Sequence, residues 1–211
     1  MKTNLKHILL VAGIMIITST VTTFAQQRRA GIKGGLNVSN MYVDDVDDEN
    51  ARYGFNAGLF GEIISTEAFG LQAELLYSTK GSKFTTSGII DQETKFNLNY
   101  LDLPVLAVFK LGKAVDLHLG AYGSYLLGAN ITTSGDLGSG TDKLDKDNFK
   151  SFDYGLVGGI GFNFGPTQVG ARYNYGLAKI ADSNTARDII GNSKNSFAQL
   201  YIAFNLNHQP E

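Results

Sequence analysis

From Ala30 onward, apolar and polar side chains alternate along the chain, and no long stretch carries the i, i+3, i+4 repeat of an amphipathic helix. Ala30, Ile32, Gly34, Leu36 and Val38 form one row against Lys33, Gly35 and Asn37, and Tyr53 to Ile63 continues the pattern with Glu62 on the polar side. The same period of two runs through Leu71–Tyr77 with Glu74 opposite, and through Val115–Leu127 with Asp116, His118 and Ser124 opposite. It returns in Tyr154–Phe162, Val169–Tyr175 and Ala198–Leu206. These segments read as strands with one apolar and one polar face. A further strand lies between Lys95 and Lys110, but its apolar row shifts from Phe96, Leu98 and Tyr100 to Leu101, Leu103, Val105, Ala107 and Phe109. A one-residue shift predicts a β-bulge near Tyr100, and Pro104, which has no N–H to give a ladder, suits a bulge or an edge.

The connections alternate in length. Residues 41–50, 81–94, 132–151 and 180–195 are long and polar, whereas Ser65 to Gly70, Leu111 to Ala114 and Gly165-Pro166-Thr167 are short. An even number of antiparallel strands with short turns on one rim and long loops on the other predicts an all-β fold, an eight-stranded up-and-down barrel in a membrane.

Charge placement decides which row faces inward. Within the strands Lys33, Glu62, Glu74, Asp102, Asp116, His118, Asp153 and Arg172 all stand on the row opposite the apolar residues, and the rest of that row is mostly Gly, Asn, Ser and Gln. About one charge per strand is thin for a face washed by solvent, where roughly a quarter to a third of positions would be charged. It fits a narrow lumen, with the apolar row toward lipid. Tyr53, Tyr77, Tyr125, Tyr154, Tyr173 and Tyr175 fall on apolar rows, mostly near strand ends, where an amphipathic ring suits the headgroup boundary. The alternative is a soluble, lipocalin-like barrel with its apolar rows turned inward around a small hydrophobic ligand.

Composition narrows the classes further. Of 211 residues 25 are Gly and 3 are Pro, and Cys is absent, so disulfide frameworks and thiolate metal sites are excluded. A formal charge of -2 gives no reason to expect a nucleic-acid partner. At the start, Lys2, Lys6 and His7 precede the apolar run Ile8 to Ile17, and Thr23-Phe24-Ala25 has the small-x-small form of a cleavage site. Residues 1–25 are therefore expected to be a secretory signal peptide, leaving 26–211 as the barrel domain.

The run Asn99-Tyr100-Leu101-Asp102-Leu103-Pro104-Val105-Leu106 resembles the Tyr-Leu-acid-x-Pro strand of PorT-like outer-membrane β-barrel proteins. Gly31-Ile32-Lys33-Gly34-Gly35-Leu36-Asn37 and Gly170-Ala171-Arg172-Tyr173-Asn174-Tyr175-Gly176-Leu177 are similar to that family's first strand and a late one. The resemblance spans essentially the whole mature chain and implies an eight-stranded barrel in a Gram-negative outer membrane, mostly without assigned chemistry. The hydrophilic tail Asn207-His208-Gln209-Pro210-Glu211 departs from barrels that end on an aromatic.

Four candidate sites remain. Asp116, His118 and Ser124 share one face of one strand and are the acid, His and Ser types that lipid-modifying barrel enzymes use. His118 and Ser124 are roughly 20 Å apart at 3.2–3.4 Å per residue, too far for a nucleophile and its base. Gly158-Gly159-Ile160-Gly161 has no helix after it, so no phosphate-binding loop is expected. The lumen residues named above form a candidate ion network with more acids than fixed bases, an excess to be offset by a charged His118, a protonated acid, or Arg52, Lys80 and Lys110 turning inward. Asp44, Asp45, Asp47, Asp48 and Glu49, and likewise Asp142, Asp145 and Asp147, could bind a divalent cation weakly, but neither run has the spacing of an EF-hand. The expectation is a non-enzymatic envelope barrel without cofactor. Its expected partners are outer-membrane lipid, the barrel-assembly machinery, and an extracellular protein or surface ligand met through the four long loops.

Overall fold

The computed structural model describes residues 28–42, 52–86, 92–135, 140–143, 150–179 and 194–208. They form strands β1 (Ala30–Tyr42), β2 (Arg52–Ser65), β3 (Phe69–Thr86), β4 (Gln92–Leu111), β5 (Val115–Gly135), β6 (Gly140–Lys143), β7 (Phe152–Phe164), β8 (Thr167–Lys179) and β9 (Lys194–Asn205). The sheet order is β4-β3-β2-β1-β9-β8-β7-β5-β6, and β4 also pairs with β5, which closes a ring. Every pairing is antiparallel, and β1 meets β9 from Gly31↔Asn205 to Tyr42↔Lys194. Closure leaves no sheet edge within the ring, the condition for placing strands in hydrocarbon. The short β6 stands outside it. Above Tyr125, where β5 leaves β7, β6 pairs with residues 130–133 of β5. Eight strands make the barrel, as the alternation predicts, and β6 is an addition inside what the sequence shows only as a long polar loop.

The turns at one end are tight for local reasons. Gly165, at φ 59°, precedes Pro166 in a two-residue link, matching a hairpin turn that needs a left-handed first residue and a φ near −65° at the second. Gly112 takes φ 70° between β4 and β5. Between β2 and β3, Thr66 Oγ1 accepts from the Phe69 amide at 3.0 Å.

The two faces separate as the charge pattern predicts, and the apolar rows point outward. Leu36, Leu119 and Leu200 are about 60% exposed, whereas Lys33, Glu74, Asp116 and Arg172 are buried. This arrangement rules out the lipocalin-like alternative, which needs the apolar rows inside. Phe109, Phe162, Phe164 and Phe204 ring the tight-turn end, and Tyr53, Tyr77, Tyr125, Tyr154 and Tyr175 ring the other, with Tyr173 somewhat deeper. On β7 the ten steps from Tyr154 to Phe164 cover roughly 33 Å, or about 25 Å of height at a tilt near 40°, the height of an outer-membrane apolar band.

One detail of the sequence reading needs correction. In β4 the inward row runs unbroken through Leu98, Tyr100, Asp102, Pro104, Leu106 and Val108, all buried. The apparent phase slip is a change in what the row carries: its upper part, Leu98 and Tyr100, is apolar and lies beside the inward Ala129 and Leu126 of β5. The bulge exists, but on β5. Asn99 pairs with Gly128 and Tyr100 with Leu126, so Leu127 is the extra residue. Pro104 instead coincides with a lapse in the β3–β4 ladder between Ala73↔Val105 and Leu76↔Asp102, as a residue without N–H requires. A second irregularity, between Glu62 and Ile64 in β2, turns both Ile63 and Ile64 outward.

Candidate functional site

The lumen is filled by side chains in three tiers. At the tight-turn end, Arg29 immediately precedes β1. Its Nε donates to Glu62 Oε1 and its Nη1 to Asp116 Oδ2, each at 2.7 Å. Lys110, the inward residue at the foot of β4, donates to Glu62 Oε2 at 2.9 Å and to Ser65 Oγ at 2.8 Å. Asn163 and Gln168 complete the shell of Asp116 at 3.0 and 2.7 Å. Burial works against the charge of Arg29, but the carboxylates of Glu62 and Asp116 more than offset it and push its pKa up. A recess of about 760 Å³ opens beneath this tier, lined in part by Phe60, Glu67, Lys110, Lys113 and Gln168.

The middle tier centres on Glu74 of β3. Lys33 Nζ lies 3.0 Å from Glu74 Oε2, Arg172 Nη1 lies 2.7 Å from Oε1, and Gln72 Nε2 donates to Oε1 at 2.6 Å. Arg172 also reaches His118 Nδ1, from Nε at 3.1 Å and Nη2 at 2.8 Å. A guanidinium has only donors, so Nδ1 accepts and the ring's proton belongs on Nε2. Tyr201 lies under both cations, with Lys33 Nζ 3.9 Å and Arg172 Cζ 4.7 Å from its ring centroid.

In the upper tier, Lys80 Nζ donates to Asp102 Oδ1 at 2.8 Å and to Ser124 Oγ at 3.1 Å. Its ammonium sits within 5.0 Å of the ring centroids of Tyr100, Tyr122 and Phe197. Asp153 accepts from Asn195 Nδ2 at 3.0 Å. Asn37, Asn56 and Gln199 join in an amide cluster beside this tier.

All eight lumen residues singled out from the sequence are buried. Glu74, Arg172, Lys33 and His118 come together, whereas Glu62 and Asp116 belong to the lower tier and Asp102 and Asp153 to the upper. The excess of acids is met by position. Arg29, Lys80 and Lys110 enter the lumen, so the inward carboxylates Glu62, Glu74, Asp102, Asp116 and Asp153 face the inward cations Arg29, Lys33, Lys80, Lys110 and Arg172. Arg52 stays at the rim, its Nη1 donating to the Lys80 carbonyl at 2.6 Å. Sequence reasoning missed Arg29 and the inward aromatics Tyr122, Phe197 and Tyr201. The signal was available in parity: Arg29 shares that of Lys33, Tyr122 that of Ser124, and Phe197 and Tyr201 that of Gln199.

Asp116, His118 and Ser124 hold three different sets of partners, one in each tier, and form no triad. The acidic run at 44–49, with Asp145 and Asp147, lies outside the described residues, and Asp142 is placed only by its backbone position in β6. Among the described residues no group of three His, Cys, Asp or Glu side chains is arranged to hold a metal.

A family model described as outer membrane protein beta-barrel domain matches residues 24–182. The chain belongs to this family. It is an integral protein of the Gram-negative outer membrane, consistent with the outward apolar rows and the closed ring. No curated protein sequence matches it. Among solved structures the chain is similar to Ail, the attachment invasion locus protein of Yersinia pestis, in complex with the heparin analogue sucrose octasulfate. That match has 18% identity over 85% of this chain and 99% of that one, with a TM-score of 0.49. Neisserial surface protein A aligns at 16% identity over 87% of this chain and 100% of that one, TM-score 0.47. OprG from Pseudomonas aeruginosa aligns at 13% over 84% and 91%, TM-score 0.35.

Proposed function

We propose that this barrel is a non-enzymatic, non-conducting anchor that displays its long loops for recognition at the cell surface, within a PorT-like branch of the family. The observation that carries this reading is the Lys33–Glu74–Arg172 group, which links β1, β3 and β8 through the centre of the lumen. An eight-stranded barrel is only wide enough for its own side chains, and here they are joined to one another. The Ser124 hydroxyl accepts from Lys80, whose ammonium is itself held by Asp102 and ringed by Tyr100, Tyr122 and Phe197, and this structural commitment favours the non-enzymatic reading. On this reading the signal peptide is cleaved after Ala25, the assembly machinery inserts residues 26–211, and recognition of an extracellular protein or surface ligand falls to residues 41–50, 81–94, 132–151 and 180–195.

Reconstitution of the mature protein into liposomes tests the proposal. Efflux of small solutes should match that of empty vesicles, and no fatty acid should be released from the host lipid. Solute flux well above background, or lipid hydrolysis, would overturn it.

A further inference from the structure

The recess at the tight-turn end reaches further into the barrel than the ion pairs beside it. From its opening among Glu67, Lys113 and Pro166 it passes the lower tier and ends at Phe60 and Gln72, inside the ring of strands. Its volume of about 760 Å³ lies within the range of small-molecule sites, roughly 300–1,000 Å³. Barrels of this kind turn their short connections toward the periplasm, so the recess opens to that compartment.

Phe60 is out of keeping with its row. The inward positions of β2 around it are Asn56, Gly58 and Glu62, and Phe60 supplies the one phenyl ring in the recess lining. Register shows why there is room beside it. Phe60 stands opposite Gly31 of β1, which in turn stands opposite Asn205 of β9. A Cβ at Gly31 would run into the Phe204 carbonyl oxygen, so the close approach of β1 and β9 keeps the middle position of this rung bare. The Phe60 ring and the Asn205 amide thus flank a glycine, two strand spacings or roughly 10 Å apart. On the other side of Phe60, Gln72 of β3 is its diagonal neighbour in the ladder.

The polar groups left to a ligand are neutral. Asn205 accepts through Oδ1 from the Ala30 and Asn207 amides, at 3.2 and 3.1 Å, and among the described residues its Nδ2 keeps both donors. Gln72 donates to Glu74 through Nε2 and keeps Oε1 as an acceptor. The charges of the wall are committed to one another: Arg29 is held on Glu62 and Asp116, and Lys110 donates to Glu62, Ser65 and Thr66. The recess therefore presents a flat apolar ring edged by uncharged amides. Because the ring of strands is closed, it presents no strand edge for a peptide main chain to pair with. A pyranose is the better match, since its C–H face stacks on an aromatic ring while its hydroxyl and acetamido groups meet the amides around it.

We propose that the recess holds a neutral, N-acetylated oligosaccharide, the chemistry of a periplasmic cell-wall glycan, with Phe60 as its platform and Asn205 and Gln72 as its hydrogen-bonding partners. The site lies at the opposite end of the barrel from the long loops, so it does not depend on the recognition role proposed above.

The test uses the full mature protein in phosphatidylcholine nanodiscs, titrated with N-acetylated chitotriose and followed by saturation-transfer NMR, with protein-free nanodiscs as the blank. Saturable transfer to the sugar is expected. Phe60→Leu, which keeps an apolar side chain but removes the ring plane, and Asn205→Ala should each weaken binding about fivefold, the scale of one aromatic contact or one hydrogen bond. Phe60→Tyr should retain binding, and Tyr53→Phe at the loop end should leave it unchanged. Heat-modifiable gel mobility identical to wild type shows that each variant is a closed barrel. If a variant does not fold, the wild type decides the matter by its preference for the acetylated sugar over the deacetylated, cationic form and over an uncharged tripeptide. No transfer above the blank, equal binding of the deacetylated sugar or of the peptide, or insensitivity to both Phe60→Leu and Asn205→Ala would overturn the proposal.

Discussion

Arg172 on β8 and Glu74 on β3 meet at 2.7 Å although β2, β1 and β9 separate their strands around the ring, so the pair spans the lumen. Both side chains are almost wholly buried. Glu74 also holds Lys33, which makes it the shared anion of two buried cations. Removing one member of such a group costs more than its net contribution, because a charge is left without a partner.

The consequence is an asymmetry between two substitutions. Arg172→Met leaves Glu74 paired with Lys33, whereas Glu74→Gln strands both Lys33 and Arg172. Glu74→Gln should cost the more of the two, with each in the range of about 3–5 kcal/mol that follows loss of a buried partner. Glu67→Gln at the exposed turn should stay within about 0.5 kcal/mol of wild type. Urea unfolding in lipid vesicles checks the ranking, and equal losses for the two lumen variants would refute the shared-anion reading.

Depth in the lumen should set the response to salt. The Arg29 side chain is 22% exposed, Lys110 stays on Glu62 without it, and Asn163 and Gln168 stay on Asp116, so Arg29→Ala should cost less than Arg172→Met although it removes the cation from a buried Asp116. Its deficit should shrink further in high salt, while that of Arg172→Met should hardly change, since buried pairs are poorly screened. Unfolding midpoints at low and high ionic strength give both differences. Identical salt dependence would mean that solvent reaches the middle tier.

Leu119 is exposed on the outward row about midway between the aromatic rings. Leu119→Arg should destabilise the barrel in a bilayer by about 2–4 kcal/mol, the penalty for a cation at mid-plane on a lipid face. The folding free energy in vesicles measures it. A negligible effect would show that this row does not face hydrocarbon.

Tyr201 depends on glycine for its place. A methyl group added at Gly161 would lie 2.7 Å from Gln168 Cδ and 2.9 Å from Tyr201 Oη. Gly161→Ala should therefore cost about 1–3 kcal/mol through overpacking. In the Tyr201→Phe background the cost should be smaller, because the hydroxyl in its way is gone. A double-mutant cycle measures the coupling, and strict additivity would show that the two positions do not compete for space.

Much of this molecule was legible in one dimension. A pleated strand sends successive side chains to opposite faces, so the parity of Lys33, Glu74, Asp116, His118 and Arg172 against Ile32, Leu75, Leu117 and Ala171 already separated lumen from lipid. Parity also held for Lys80 and Lys110, which share rows with Glu74 and Asp102, but their nearness to the expected strand ends made them look like rim residues. Strand β3 runs on to Thr86, and Lys80 is wholly buried within it. Tyr100 was misleading for a related reason: an apolar side chain on the inward row looks like a change of phase until its inward neighbours on β5, Leu126 and Ala129, are known.

By itself, then, the sequence determined the strands, their two faces, the alternation of short and long connections and the class of environment, because each depends on a period of two or on local turn chemistry. Only the tertiary structure decided which cation meets which carboxylate, that the bulge falls at Leu127 on β5, and that β6 pairs with the upper part of β5 outside the ring. Those features depend on how far each strand slides along the next before the ring closes. That offset is fixed by the cooperative pairing of all eight barrel strands, and no local pattern encodes it.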